Sequence, residues 1–262
     1  NLDGIHFRTL ESLYNQGSKG EFTASDRGTI DFQAGGVTNI EEELKRVLDY
    51  EITSNNDTKR NIKSGMFASK TISHNIYQKN FDVKTYDYFD DFDDYGRVAS
   101  GGSNFPIYNK GAVDFANKLS DFKDARVYMH STSKDTNGLD TQHYIETSTN
   151  YTPNDIEKTI AHRVSKNSEL DNGVKINMQI NGNTTIRAGS IIDFELPLVG
   201  TSHTDDNYDV YHSGKFLITK ARHSFDKKGA KYSIYMSIVK DSFNKELPDG
   251  GSEAQQPTGG QL

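Results

Sequence analysis

The sequence predicts an α+β fold that is mainly β, built around an antiparallel β-barrel with a few amphipathic helices and an inserted α/β segment. Hydrophobic residues make up only 33% of the chain, and 14 Tyr and 14 Phe supply much of that fraction. Aromatic residues favour pleated, half-buried surfaces over helix bundles. Apolar side chains also alternate strictly with polar ones over residues 174–180, which is typical of a half-buried strand.

Composition limits the functions that the chain can have. The formal net charge is −7 and the isoelectric point is about 5.6, so the global basic field that DNA binding usually needs is missing. The chain contains no Cys, which excludes disulfides, a thiol nucleophile and thiolate metal sites. No apolar run approaches the roughly 18 residues that span a bilayer, so we expect no stable membrane association.

Residues 1–60 are predicted to form an N-terminal α+β segment. Leu10, Leu13 and Tyr14 indicate one short helix, and residues 15–38 are predicted to form loops and short strands. Asn39 is a suitable N-cap for a second helix that should run to about Tyr50. Because the chain opens without Met or a signal peptide, we expect an N-terminal portion to be missing.

Residues 61–90 are predicted to contribute two paired strands after a polar break at 53–61. The strands cover residues 66–75 and 81–88, and in the second one Phe81 and Val83 share a face. Residues 91–154 are predicted to be an insertion. Its apolar positions indicate a short amphipathic helix between 113 and 122, and residues 127–130 indicate one more strand.

Residues 155–243 are predicted to complete the barrel that residues 61–90 begin. Pro153 suits the first turn of a helix that should end near Leu170. A β-meander follows, with strands at 174–180, 184–186, 191–196, 215–223 and 231–239. Closing these strands into a barrel would remove exposed edges. Residues 244–262 contain too few apolar groups to order themselves, so a flexible C-terminal tail is predicted.

Three stretches, in order, resemble the baseplate central hub proteins of contractile-tailed bacteriophages. The first is Gly65-Met66-Phe67-Ala68-Ser69-Lys70 with Tyr86-Asp87-Tyr88-Phe89, and the second is Gly182-Asn183-Thr184-Thr185-Ile186-Arg187-Ala188-Gly189. The third is Ser213-Gly214-Lys215-Phe216-Leu217-Ile218-Thr219-Lys220-Ala221-Arg222-His223 with the ending Val239-Lys240-Asp241-Ser242. Their order and spacing span most of residues 60–242.

The resemblance implies that the chain is the C-terminal half of such a hub and carries a tail-tube-like barrel. It implies a structural protein rather than an enzyme, located in the virion at the tail baseplate and assembled in the bacterial host cytoplasm. The implied partners are two further copies in a homotrimer, the central spike protein, the tail-tube initiator and other baseplate proteins. DNA would only pass through the channel, and an acidic wall would repel its phosphates.

An acidic run at residues 87–95 is the strongest candidate for other chemistry. It could hold Ca²⁺ through several carboxylates, or supply the two carboxylates of a cell-wall glycan hydrolase through Asp91 and Asp93. The run lacks the Gly and Glu positions of an EF-hand loop, so a solvated acidic loop with aromatic anchors is the simpler interpretation. A receptor- or glycan-binding β domain of a tail fibre or adhesin is another alternative to the hub, and it would need exposed aromatic side chains along a groove.

The remaining polar clusters predict no catalytic, cofactor-binding or metal-ligating residue. The closest histidine pairs lack the spacing of a zinc enzyme, and the aspartates near position 205 suit an exposed loop (His130 with His143, His203 with His212, and Asp205, Asp206 and Asp209). A basic cluster on the last hairpin is predicted to be a solvated surface or an interface to an acidic neighbour (Lys220, Arg222, Lys227, Lys228 and Lys231).

Overall fold

A computed structural model describes residues 8–24, 45–53, 57–75, 79–99, 104–110, 113–114, 117–132, 156–197 and 208–247. The fold is mainly β with a few helices, as predicted. Two sheets, one of six strands and one of three, lie on either side of a long helix.

The six-stranded sheet consists of β1 (Ser18–Thr23), β2 (Val47–Ile52), β8 (Val174–Asn181), β9 (Ile191–Glu195), β10 (Gly214–Asp226) and β11 (Lys231–Lys240). In the sheet these strands lie in the order β1-β9-β10-β11-β8-β2. Neighbouring strands are antiparallel except β1 and β9, which run parallel. The sequence predicted an antiparallel barrel, but this sheet contains one parallel pair of strands. A single parallel bridge between Thr23 and Arg46 brings the two edges together, so the sheet curls strongly.

Apolar side chains fill the concave side of this sheet. Val174, Ile176, Met178 and Ile180 are buried while the residues between them are only partly covered, which confirms the alternation predicted for β8. Neighbouring strands add further buried side chains to the same core (Phe22, Val47, Ile192, Phe194, Phe216, Ile218, Ile234, Met236 and Ile238). Full burial of each such side chain contributes roughly 1.5–3 kcal/mol, so this core is the main source of stability for the sheet.

The three-stranded sheet has the order β4-β3-β7, with β3 at Ala68–Asn75, β4 at Asn80–Asp87 and β7 at Val127–Thr132. The predicted pairing of the first two strands is confirmed, and β7 adds in parallel. Within the described residues, β3 and β4 share no ladder with the six-stranded sheet. That sheet instead takes β1 and β2 from the first 60 residues, and β3 pairs with a strand of the predicted insertion.

Three helices have both ends within the described residues: α1 (Leu10–Tyr14), α2 (Thr58–Ser64) and α3 (Ile156–Asn172). The long helix α3 confirms the predicted one, although Pro153 lies outside the described residues. It packs against β3 and β4 on one side and against β8 and β11 on the other. Ser165 on α3 donates a hydrogen bond to the carbonyl of Met66 at 2.7 Å, which fixes the helix against the start of β3.

Two predicted helices differ from the structure in the described residues. The helix expected from Asn39 to Tyr50 ends earlier, at Lys45, and its expected start lies outside the described residues. Strand β2 follows, because Val47 pairs with Ile180 and is buried in the sheet core, so tertiary burial overrides the helical periodicity there. In place of the helix expected at 113–122, the described residues form two paired strands of two residues each, β5 (Val113–Asp114) and β6 (Asn117–Lys118). A 3-10 turn follows them.

Two smaller expectations also differ from the structure. The polar break at 53–61 contains the start of α2, since the Asp57 side chain accepts a hydrogen bond from the N–H of Arg60 at 3.0 Å and caps the helix. The strand expected at 184–186 is a turn, in which the Asn183 side chain accepts a hydrogen bond from the N–H of Thr185 at 2.9 Å.

Candidate functional site

A cluster of buried ionised side chains joins the two sheets through α3. Arg97 Nη1 lies 2.6 Å from Glu169 Oε2, and Lys166 Nζ lies 2.7 Å from Asp241 Oδ2. The hydroxyl of Tyr88 donates to Glu169 Oε1 at 2.5 Å. These groups come from the turn after β4, from α3 and from the end of β11, so the cluster connects three elements that are far apart in sequence.

Electrostatic pairing explains how these charges tolerate burial. The cluster contains two cations and two carboxylates, and Glu169 is only 1% exposed. Burial raises the pKa of the Glu169 carboxyl, while the charges of Arg97 and Lys166 oppose that rise. Burial alone would lower the pKa of the Arg97 guanidinium, but Glu169 and the other acidic groups nearby, Asp241 among them, together outweigh burial, and the pKa is raised. A buried, paired cluster of this kind holds the elements together.

Two more ionisable groups lie nearby. Lys240 donates to the carbonyl of Ser213 at 2.9 Å, and burial lowers the pKa of its ammonium group to about 8. His162 stacks on the ring of Tyr95, and burial, together with the positive charges of Lys166 and Arg97, lowers the pKa of its imidazole to about 4. His162 is therefore neutral at pH 7.

The predicted acidic run forms the turn after β4. Asp87 accepts hydrogen bonds from the N–H groups of Phe89 and Asp90, and Asp91 accepts one from the N–H of Asp87. Burial raises the pKa of the Asp91 carboxyl, and the neighbouring aspartates add to that effect. Asp93 is exposed. Within the described part of the chain, no three acidic or histidine side chains are placed to hold a metal ion.

The other predicted polar residues are scattered. His130 lies on β7, and His212 contacts Asp209 through an Nδ1–Oδ2 distance of 2.6 Å. Backbone N–H groups of Tyr211 and His212 also donate to Asp209, so this pair closes a local turn. His143, His203, Asp205 and Asp206 lie outside the described residues. The predicted basic residues lie along β10 and at the end of the β10–β11 hairpin.

The three-stranded sheet carries an exposed apolar surface on the side away from α3. Phe81 is 64% exposed, Val83 54% and Met129 75%. Strand register places these side chains beside Ile72 and His74, and the rings of His74 and Phe81 stack at 4.4 Å. We call this surface the open face; it comprises Ile72, His74, Phe81, Val83, Val127 and Met129. The sequence showed that Phe81 and Val83 share a face, but it gave no signal that this face stays uncovered.

Two clefts lie on the six-stranded sheet side of the molecule. One, of about 860 Å³, lies between α1 and the turn before β9, and its described lining includes Arg8, Lys19 and Arg187. The other, of about 340 Å³, crosses the convex side of the sheet beside Tyr235 and Gln179. Neither cleft includes a member of the acidic run among its described lining residues.

No helix within the described ranges is both long and apolar enough to cross a membrane. A scan against protein-family models found no match to the chain. A search of curated proteins also found no match.

Proposed function

We propose that the chain is a structural subunit of a bacteriophage tail baseplate hub. Three copies would form a ring that joins the central spike to the tail tube and surrounds the DNA channel. The proposal starts from the ordered sequence motifs at residues 65–89, 182–189 and 213–242.

The open face is the observation that carries an assembly role. Phe81, Val83 and Met129 are large and apolar, lie on neighbouring strands and keep more than half of their surface in solvent. Ile72 and His74, which lie between them, are partly buried. Contiguous apolar patches of this kind on a folded protein mark surfaces that bind other proteins. A subunit of a permanent assembly has such a surface, since copies or partners cover it after docking.

The curled sheet supports a tail-tube-like barrel as the finer description of the fold. Its edge strands meet through the Thr23–Arg46 bridge, and its concave side is filled with apolar side chains. We propose that this sheet is the closed barrel of the hub family, and that the two edge strands, β1 and β2, meet to close it. Closure would leave few free backbone groups at the edges, which protects a ring subunit from non-specific strand pairing.

Cross-linking mass spectrometry of tail particles that contain this chain tests the location. The proposal expects cross-links to the spike and to the tail-tube initiator on the tail axis. Cross-links only to proteins at the periphery of the baseplate or to tail fibres would exclude the hub.

Substitutions on the open face test its role in assembly. Phe81→Asp combined with Met129→Asp should reduce the trimer to monomer, because burying two carboxylates in an apolar interface is unfavourable. Lys59→Asp, on the exposed side of α2, is the matched control and should leave the trimer intact. An unchanged trimer in the Phe81/Met129 variant, with native circular dichroism, would show that the open face is not the interface.

A glycan-binding surface is the second candidate, favoured by the convex cleft beside Tyr235. Tyr235, 41% exposed, offers a ring to a sugar, and the amide side chains of Asn177 and Gln179 lie on the neighbouring strand. The guanidinium of Arg222 lies over the Tyr235 ring, 4.9 Å from its centre, and so covers part of one ring face. Binding on a glycan array that is lost in Tyr235→Ala would favour this function over the hub.

A further inference from the structure

The end of the β10–β11 hairpin extends past the rest of the sheet. Strand β9 pairs with β10 only as far as Leu217, and β8 follows β11 only to Gly182, whose N–H donates to the Tyr232 carbonyl at 2.9 Å. Beyond these positions, β10 and β11 pair only with each other among the described strands, up to Asp226 and Lys231. The hairpin end, residues 224–233, is therefore open to contact along its flank.

Aromatic rings at the hairpin end are held in a fixed stack. Phe225 lies 4.3 Å from Tyr232 with nearly parallel rings, and Tyr232 shares a 2.7 Å hydrogen bond with His223 Nδ1. The Tyr232 ring lies directly on the backbone of Gly182, where a Cβ would come within 1.9 Å of it. Phe225 is nevertheless 71% exposed. An ordered, exposed aromatic ring loses little entropy on binding, which is the property of an interface anchor.

Positive charge surrounds this stack. Lys227, Lys228 and Lys231 are all exposed at the hairpin end, although the chain as a whole has a net charge of −7. Asp226 is the acidic residue of the same turn, and its carboxylate accepts a hydrogen bond from the N–H of Lys228 at 3.0 Å. The hairpin end thus combines an apolar anchor with an excess of positive charge.

A complementary surface lies at the opposite end of the molecule. In the acidic turn, residues 90–94, the side chains of Asp90, Asp93 and Asp94 are exposed. Buried Phe92 anchors the turn, since its carbonyl accepts a hydrogen bond from Arg97 Nη2 at 2.9 Å. Half-buried Phe89 borders the turn and offers apolar surface next to the carboxylates.

Geometry prevents the two surfaces from meeting within one chain. The segment after the acidic turn is tied to the far end of β11, where the N–H of Val98 donates to Asp241 Oδ1 at 3.1 Å. The hairpin end begins at Ser233, eight residues away along the same strand. At about 3.3 Å per residue, the separation is roughly 26 Å. A contact between these surfaces requires two molecules.

We propose that the hairpin end of one copy docks on the acidic turn of a second copy, so that the subunits join head to tail. The inference rests on the self-assembly proposed above and adds a second contact between the copies, separate from the open face. Phe225 packs beside Phe89 of the next copy, and the lysines face the exposed aspartates. Such a contact uses a different surface on each partner, so repeating it generates a closed ring when the rotation between copies allows closure.

Paired single-cysteine variants test this contact, because the chain contains no Cys of its own. Lys228→Cys and Asp93→Cys chains are mixed in equal amounts and treated with a short bis-maleimide cross-linker. The mixture should give a high yield of covalent dimer that contains one chain of each kind. Lys228→Cys mixed with Lys59→Cys is the matched control and should give little of the mixed covalent dimer. Equal yields in the two mixtures would overturn the proposal.

Charge exchange provides a second readout in the full chain. Lys227→Glu with Lys228→Glu should weaken self-association by about tenfold, as should Asp93→Lys with Asp94→Lys. Combining all four substitutions should restore most of the affinity. A wild-type trimer that neither charge variant weakens would refute the head-to-tail contact and leave the hub proposal standing, whereas a monomeric wild type would exclude both. Lysine-dependent binding to anionic vesicles without any effect on self-association would assign the hairpin end to a membrane instead.

Discussion

Replacing Arg97 with methionine tests whether the buried ionic cluster holds the two sheets together. Methionine keeps much of the side-chain volume but removes the guanidinium 2.6 Å from Glu169 Oε2. The nearest remaining cation, Lys166, lies 4.0 Å from Glu169 and is already paired with Asp241 at 2.7 Å. Glu169 is only 1% exposed, so its buried negative charge would be left without a cation close enough to balance it. Breaking a buried pair in this way costs about 3–5 kcal/mol.

Such a loss is a large part of the 5–15 kcal/mol by which domains are typically stable. Urea unfolding followed by circular dichroism measures it, with Arg60→Met as the control. Arg60 lies 4.0 Å from Asp171 in a pair whose side chains are 67% and 63% exposed, so its loss should cost less than about 1 kcal/mol. If the free energy of unfolding of the Arg97→Met variant lies within about 1 kcal/mol of the wild-type value, the assigned role of the cluster is wrong.

The pH dependence of the Arg97→Met variant gives an independent check. Burial already raises the pKa of Glu169, and removal of its main cationic partner should raise it further. A carboxyl whose pKa is raised in the folded state contributes stability at low pH that is lost as the pH rises through the folded pKa. The deficit of the variant relative to wild type should therefore be smaller at pH 5 than at pH 8. A deficit that is constant with pH would indicate lost packing instead.

Three further predictions each concern one residue and have distinct expected outcomes. Lys240→Met should change stability at pH 7 by less than about 1 kcal/mol, because it removes a costly buried charge together with one hydrogen bond to Ser213; a loss above 3 kcal/mol would contradict this. Wild-type stability should fall as the pH drops from about 6.5 to 4, since burial lowers the pKa of His162 to about 4, and His162→Phe should flatten that fall in urea titrations at each pH. Gly65→Ala should cost about 1–3 kcal/mol, because Gly65 has a φ of +81° and closely approaches a neighbouring side chain. In Gly96→Ala the added Cβ meets nothing within 4 Å, so this substitution should cost less stability. Equal melting temperatures of the two variants would refute the argument.

Elements with a strong local pattern were predictable from the sequence. The alternation in β8 and the hairpin of β10 and β11 follow from side chains that are neighbours in sequence, and both are confirmed. The end expected at Tyr50 for the second helix was wrong, since the helix stops at Lys45 and Val47 pairs with Ile180, a residue more than a hundred positions away. Local capping signals contain no information about such a partner.

The ionic cluster and the open face could not be predicted for the same physical reason. Arg97, Glu169 and Asp241 become neighbours only when the turn after β4, α3 and β11 pack together. Each is an ordinary charged residue in its own segment. Likewise, Phe81 alternates as a strand residue should, but whether its face is covered depends on where α3 packs. Periodicity identifies a face, and only tertiary structure shows what lies against it.

Sedimentation equilibrium of the purified chain over a range of concentrations tests the assembly proposal most directly. A hub subunit should sediment as a homotrimer, with three times the 29.4 kDa mass of the chain. A species of 29.4 kDa at every concentration would contradict the ring and the docking surfaces on which it depends.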